Sequence, residues 1–290
     1  LAPDGSLYVA DFYSPIIAHY EVPLTHSRRD RQRGRIWRIT YAGSDAAPIK
    51  RAPDLTRASL KELIGFLSSN NLVIRTHATH QLVHRIGKPA AELIKSRLVD
   101  DSNARQRAHG AWVLARLGSL KAQAIRLLAA DDDRLVRVHL IKALAEKSDW
   151  QNEERIHARH ALSDIDAFVR RAAVDALGQH PDPGDITPLI DLWNGTDKED
   201  THLIHAIRTA LRDTIMELNN LPELASQYDG QSEYLGRVAD ICLGIQNAQS
   251  AQFLLNHYQR VKPETGQLRG VVHHIGRHVE RQSLPVFHQL

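Results

Sequence analysis

Asp166-Ala167-Phe168-Val169-Arg170-Arg171-Ala172-Ala173-Val174-Asp175-Ala176-Leu177-Gly178 is the stretch whose reading decides the fold. An acidic residue able to accept orphan amide hydrogens opens it, apolar residues return at spacings of three and four, and a glycine follows the last of them. That is the pattern of a capped amphipathic helix. The pattern recurs upstream. With Arg75, Arg105, Arg137 and Arg170 as markers, the intervals are 30, 32 and 33 residues. Asn71, Asp101, Asp133 and Asp166 stand four residues before the markers, Ala78, Ala108, Leu140 and Ala173 three after, and Leu82, Trp112, Leu144 and Leu177 seven after. The polar column suits helix N-caps, the other two columns share one helical face, and Gly87, Gly118 and Gly178 stand where C-cap glycines would.

A unit of about thirty residues built this way is a helical hairpin that cannot bury its own apolar face, so successive units must stack into a continuous core. Neither the tetratricopeptide nor the ankyrin signature is present. The run V/I-R-x-x-A-x-x-x-L, seen from Ile74-Arg75, Val136-Arg137 and Val169-Arg170, resembles short bacterial HEAT repeats. The fold class expected is therefore mostly α, a HEAT-like α-solenoid of the armadillo-type superhelix. Regular repeats are expected over 55–180 and degenerate ones over 181–290, with helices at 201–218, 233–244, 250–258 and 268–278. The repeated Asp–Arg columns read as caps and links between units rather than as catalytic groups.

Residues 1–44 differ in kind. Leu7-Tyr8-Val9-Ala10 and Arg35 to Tyr41 are β-prone runs beside Asp4-Gly5 and Arg33-Gly34 turn signals. In the second run Ile36, Arg38 and Thr40 alternate with Trp37, Ile39 and Tyr41. Two strands are marginal alone, so this segment is expected to complete a larger sheet. A linker rich in small residues and proline follows over 45–54.

Composition removes several function classes. The 290 residues are 42% hydrophobic and 24% charged, as in a globular chain. Cys242 is the sole cysteine, which leaves no intramolecular disulfide framework, Cys-based zinc site or CxxCH haem attachment within this stretch. No run is long and apolar enough to span a bilayer. Met216 is the sole methionine, and the sequence is expected to be a fragment of a longer protein. There is no G-x-S-x-G, P-loop, HExxH or dinucleotide fingerprint, so a hydrolase or nucleotide enzyme has no support.

Two features carry polar chemistry. Seventeen histidines include His77, His80 and His84 at i, i+3 and i+7, and His274 and His278 at i, i+4. With no carboxylate at a fixed offset, they read as surface or inter-repeat groups rather than a metal site. Between Arg28 and Arg38 stand six arginines, at 28, 29, 31, 33, 35 and 38, with Asp30 alone opposing them. Arginine forks suit carboxylate and phosphate. His19, Tyr20, His26, Arg28, Arg29, Arg31, Arg33 and Arg35 are the candidate binding residues of the 11–35 loop; no catalytic and no metal-ligating residue is assigned. The alternative reading of the arginines is a loop stitched to neighbouring acidic residues of the larger sheet expected outside this stretch. A net charge of only +3 and the lack of interleaved aromatics argue against nucleic acid as the partner.

Pro3-Asp4-Gly5, Leu7 to Tyr13, His19 to His26, Arg28 to Asp30 and Gly34 to Ile39 together resemble the last blade of the β-propeller in planctomycete-type membrane-bound dehydrogenases. In that family a propeller similar to glucose/sorbosone dehydrogenases is joined to HEAT repeats and then to a c-type cytochrome domain. The resemblance implies a parent oxidoreductase, periplasmic or membrane-associated, that oxidises a sugar or similar alcohol, with haem c and a quinone as cofactors outside this chain. It implies as partners the remainder of the propeller, the haem domain and another protein on the concave face of the solenoid. The chain itself is then expected to be a non-catalytic scaffold. Two alternatives are that the 11–35 loop forms part of a dehydrogenase active site, or that the Arg28–Arg38 cluster binds an anion or nucleic acid.

Overall fold

The structure, a computed structural model, describes residues 2–11, 13, 16, 22–23, 25–45, 51–97, 103–219, 221–262 and 265–287. Contacts divide the chain into two compact units, Leu1–Ser119 and Leu120–Leu290. The first holds strands β1 (Leu7–Asp11) and β2 (Arg35–Ile39), then helices α1 (Leu60–Phe66), α2 (Leu72–Gln81), α3 (Lys88–Arg97) and α4 (Ala104–Arg116). The second opens with α5 (Ala122–Ala129), α6 (Arg134–Ala145), α7 (Asn152–Ala161), α8 (Ala167–Gln179) and α9 (Ile186–Gly195). It continues through α10 (Thr201–Leu218), α11 (Leu221–Gln227), α12 (Ser232–Cys242), α13 (Ala248–Arg260), α14 (Thr265–His278) and a last turn, α15 (Leu284–Phe287). The chain is a HEAT-like helical-repeat fold with a short β segment at its N-terminal end.

The caps set the repeat. Asn71 Oδ1 accepts the amides of Val73 and Ile74 at 2.9 and 3.3 Å, and Asn103 those of Arg105 and Gln106 at 3.0 and 3.3 Å. Asp133 accepts Leu135 N–H at 2.8 Å, Asp166 accepts Phe168 N–H at 2.8 Å, and Asp200 accepts Leu203 N–H at 3.0 Å. Eleven residues beyond these caps stand Leu82, Leu114, Leu144, Leu177 and Leu211, all buried. Seven beyond stand Ala78, Gly110, Leu140, Ala173 and Ile207, also buried. These two columns are the floor on which neighbouring helices pack, and they extend to Val238 and Cys242 from Gln231 at the start of α12.

This corrects the expected column in one repeat by two residues. Asn103, not Asp101, caps α4, so Arg107 and Leu114 are the true counterparts of Arg75 and Leu82; Asp101 lies outside the described residues. Trp112, assigned to the leucine column, is only half-buried, with the Arg116 guanidinium 5.2 Å from its ring centroid. Leu72, at the first helical position after Asn71, is 58% exposed although it is apolar.

The arginine column locks the turns. Nη1 of Arg75 donates to the Ser69 carbonyl at 2.6 Å, that of Arg137 to Asp131 at 2.7 Å and that of Arg170 to Asp164 at 2.8 Å. In each case the guanidinium reaches back six residues to satisfy a carbonyl of the turn before its own helix, a charge-assisted bond stronger than a neutral one. Asp200 has Ile204 in that position, and the motif lapses where the sequence register loosens. The Asp–Arg ladder also links units: Arg137 holds Asp164, and Arg134 holds Asp166 at 3.2 Å.

Gly87 and Gly118 adopt left-handed φ values of 69° and 64° at helix ends, as expected of C-cap glycines. Gly178 does not. It lies inside α8, where a Cβ would stand 2.9 Å from Cβ of Ala210, so its role is to let α8 and α10 approach. The helices expected near 201–218, 233–244, 250–258 and 268–278 are present as α10, α12, α13 and α14.

β1 and β2 pair antiparallel, with Leu7 opposite Ile39, Val9 opposite Trp37 and Asp11 opposite Arg35. The segment is fastened to the first repeat by Asn71. While its Oδ1 caps α2, its Nδ2 donates to the Ala2 carbonyl at 2.9 Å.

Candidate functional site

The N-terminal segment draws most of its arginines into internal pairs. Arg33 Nε meets Asp30 at 2.6 Å, Arg35 Nη2 meets Asp11 at 3.1 Å and Arg38 Nη2 meets Asp4 at 2.8 Å. Arg29 Nη2 donates to the Val22 carbonyl at 2.9 Å. The Arg35 guanidinium lies 4.0 Å from the Tyr13 ring centroid and 4.9 Å from that of Trp37, a cation held between two aromatic faces. The Trp37 indole N–H and the Tyr13 amide, with Arg35 beside them, hold the Asp11 carboxyl below its ordinary value. The Gln32 and Arg33 amides do the same for Asp30, with the Arg33 guanidinium adding.

His26 and Arg28 are exposed, and the His26 ring Nδ1 accepts the Arg28 amide at 3.2 Å. Arg31 is exposed too. His19 and Tyr20 lie outside the described residues. Of the candidate binding residues, Arg33 and Arg35 are thus brought together around Tyr13, while the charge available to an external anion is less than six arginines would suggest.

One face of this ribbon, with Leu7, Val9, Trp37 and Ile39, is apolar and open to water, and the other sets Tyr8 and Ile36 beside Arg38. Ile36 is 73% and Trp37 50% exposed, and Leu7, Tyr8, Val9 and Ile39 are exposed as well. Globular surfaces seldom leave so continuous an apolar face uncovered.

The histidine clusters are of two kinds. His77, His80 and His84 lie exposed along one line of the α2 region, with ring centroids 6.3 and 6.2 Å apart. His274 is buried, its Nε2 3.1 Å from Ser250 Oγ. That serine hydroxyl is fully buried and engaged by the Ile245 and Asn247 carbonyls, which suits a helix-packing link and not a nucleophile. Burial pushes the Cys242 thiol far up, which removes it from nucleophilic chemistry. Among the described residues no group of three or more His, Cys, Asp or Glu is arranged to hold a metal ion, and no helix is long and apolar enough to cross a membrane.

A groove of about 460 Å³ between α10 and α12 escaped the sequence reading. Its wall is the polar stripe Thr201, His205, Arg208 and Arg212 of α10, opposite the buried stripe Leu203, Ile207 and Leu211. Lys198, Thr209, Asp240 and the apolar Ile204 and Ile241 also line it. The spacing of that polar stripe was legible in the sequence, but only the parting of the two helices makes it a cleft.

Comparisons with known proteins agree with the helical part. Residues 122–208 match the model of HEAT repeats, and residues 1–43 match a domain of unknown function (DUF7133). No curated protein matches the chain. Among solved structures, the complex of CpcE and CpcF of phycocyanin lyase from Nostoc sp. PCC7120 is similar at 15% identity with a TM-score of 0.38, over 81% of this chain and 99% of that one.

Proposed function

We propose that this chain is the non-catalytic scaffold region of a larger extracytoplasmic dehydrogenase, its β segment closing a propeller and its helical repeats serving as an interaction surface. The observation that carries this reading is the β1–β2 ribbon. Its exposed apolar face of Leu7, Val9, Trp37 and Ile39 needs covering, and a two-stranded ribbon gains little stability alone. The residues that resemble a last propeller blade include both strands, Leu7–Asp11 and Arg35–Ile39. The HEAT-like repeats that follow keep the order of modules in the resembled family.

In this reading the sugar-oxidising site, a quinone and haem c belong to other parts of the parent protein, which acts in the periplasm or at a membrane. The partners of this chain are the rest of the propeller, the haem domain and another protein bound along the helices. The test is to assay the 290-residue chain and its full-length parent side by side with aldose sugars and a dye acceptor. Turnover by the parent alone is expected. Turnover by the isolated chain, abolished by His26→Ala without unfolding, would replace the scaffold reading with an enzyme built on the 11–35 loop.

A further inference from the structure

We propose that the groove between α10 and α12 binds an extended acidic segment of a partner protein. The inference deepens the scaffold reading by giving its interaction surface a place and a chemistry.

Charge is the first argument. On α6 and α7 of the same unit several arginines are held by carboxylates of the chain: Arg134 by Asp166, Arg137 by Asp164, and Arg155 and Arg159 by the buried Asp185. The groove gathers cations that are not. Lys198 and Arg208 form no ion pair among the described residues, and both are exposed. Arg208 is steadied instead by the face of Trp193, 5.7 Å from its guanidinium carbon, which presents its fork without neutralising it. Arg212 adds a third cation, shared with Asp213 at 2.7 Å.

Shape is the second. Gly244, just beyond α12, brings no side chain into the cleft, and a Cβ there would stand 4.0 Å from Arg212 Cδ. The remaining wall supplies the hydroxyls of Thr201 and Thr209, the His205 ring, the Asp240 carboxylate and the apolar side chains of Ile204 and Ile241. An extended peptide needs this mixture. Its acidic side chains meet Lys198 and Arg208, its backbone meets the hydroxyls of Thr201 and Thr209, and its aliphatic parts meet Ile204 and Ile241. The volume is within the ordinary range of ligand sites and suits a short run of residues.

The probe is a fluorescein-labelled peptide of four glutamates flanked by glycines, titrated by anisotropy against the full chain, with the glutamine version as its control. The glutamate peptide should bind saturably. Lys198→Glu should weaken it roughly threefold to tenfold, and Lys198→Glu with Arg208→Gln by more than about tenfold. Lys262→Glu, outside the groove, should leave it unchanged. Binding should weaken as salt rises, since partly exposed pairs are screened. Circular dichroism of each variant separates lost binding from lost fold, and Lys198→Glu alone, at an exposed position before α10, keeps the test sound if the double variant unfolds.

Absence of binding, equal binding of the glutamine peptide, indifference to Lys198→Glu, or full displacement by equimolar inorganic phosphate would each overturn the proposal. None of these outcomes touches the scaffold reading, which is tested separately by the activity of the isolated chain.

Discussion

Arg137 grips Asp164 with two hydrogen bonds, Nε to Oδ2 at 2.8 Å and Nη2 to Oδ1 at 3.0 Å, while its Nη1 holds the Asp131 carbonyl. One side chain therefore closes the turn before its own helix and fastens the turn before the next. Burial alone would raise the Asp164 carboxyl, but the Arg137 hydrogen bonds and the Asp166 amide outweigh it and hold the carboxyl below its ordinary value. Both side chains are only 13–14% exposed, so screening is limited. Arg137→Ala should cost about 2–3 kcal/mol in urea unfolding, the range for a lost hydrogen bond to a charged group with its partner left unpaired. Asp164→Asn should cost less, and the double variant should show coupling between the two.

Gly178 tests the approach of α8 to α10. Alanine there would gain helix propensity on an exposed helix, but here its Cβ meets Ala210 Cβ at 2.9 Å. Gly178→Val should lower stability by about 1–3 kcal/mol through overpacking. Ala210→Gly should restore part of the loss, which a thermal melt of the pair would read directly.

The corrected repeat register makes its own prediction. Leu114 belongs to the buried leucine column and Trp112 does not. Leu114→Ala should cost about 2–5 kcal/mol, like the same change in an ordinary core. Trp112→Ala should cost clearly less, although tryptophan is the larger side chain. Denaturant midpoints of the two variants decide between the registers.

Acid should loosen the C-terminal helices. Burial, with His278 and His273 adding, pushes His274 below the ordinary histidine value, and burial does the same to His257, with Arg260 adding and Asp240 opposing. A histidine whose folded pKa is depressed favours the unfolded state once protonated. The stability it contributes is complete above the unfolded value of about 6.5 and is lost as pH falls from there toward the depressed folded value. The melting temperature should hold above about pH 6.5 and fall as the pH is lowered below it. His274→Gln should shrink that drop, because the buried group that must gain a proton is gone.

Much of the helical architecture was legible because it rests on local chemistry. Asn71, Asp133, Asp166 and Asp200 announce helix starts through short polar side chains, and α10 runs over the residues its apolar spacing predicts. The slip near α4 arose because both Asp101 with Arg105 and Asn103 with Arg107 satisfy the polar-then-arginine rule. Only packing, which selects Leu114 over Trp112, separates them. Gly178 misled for a related reason, since a glycine near a helix end looks alike whether it turns the chain or admits a neighbour. The tether from Asn71 to Ala2 and the cleft between α10 and α12 depend on residues far apart in sequence, and no local pattern carries them.

The most direct test of the scaffold account is peptide mapping of the native protein, recovered from its source with an antibody raised against this chain. The account predicts one polypeptide that continues upstream into further propeller strands and downstream into a CxxCH haem segment. A native polypeptide consisting of these 290 residues alone would contradict it.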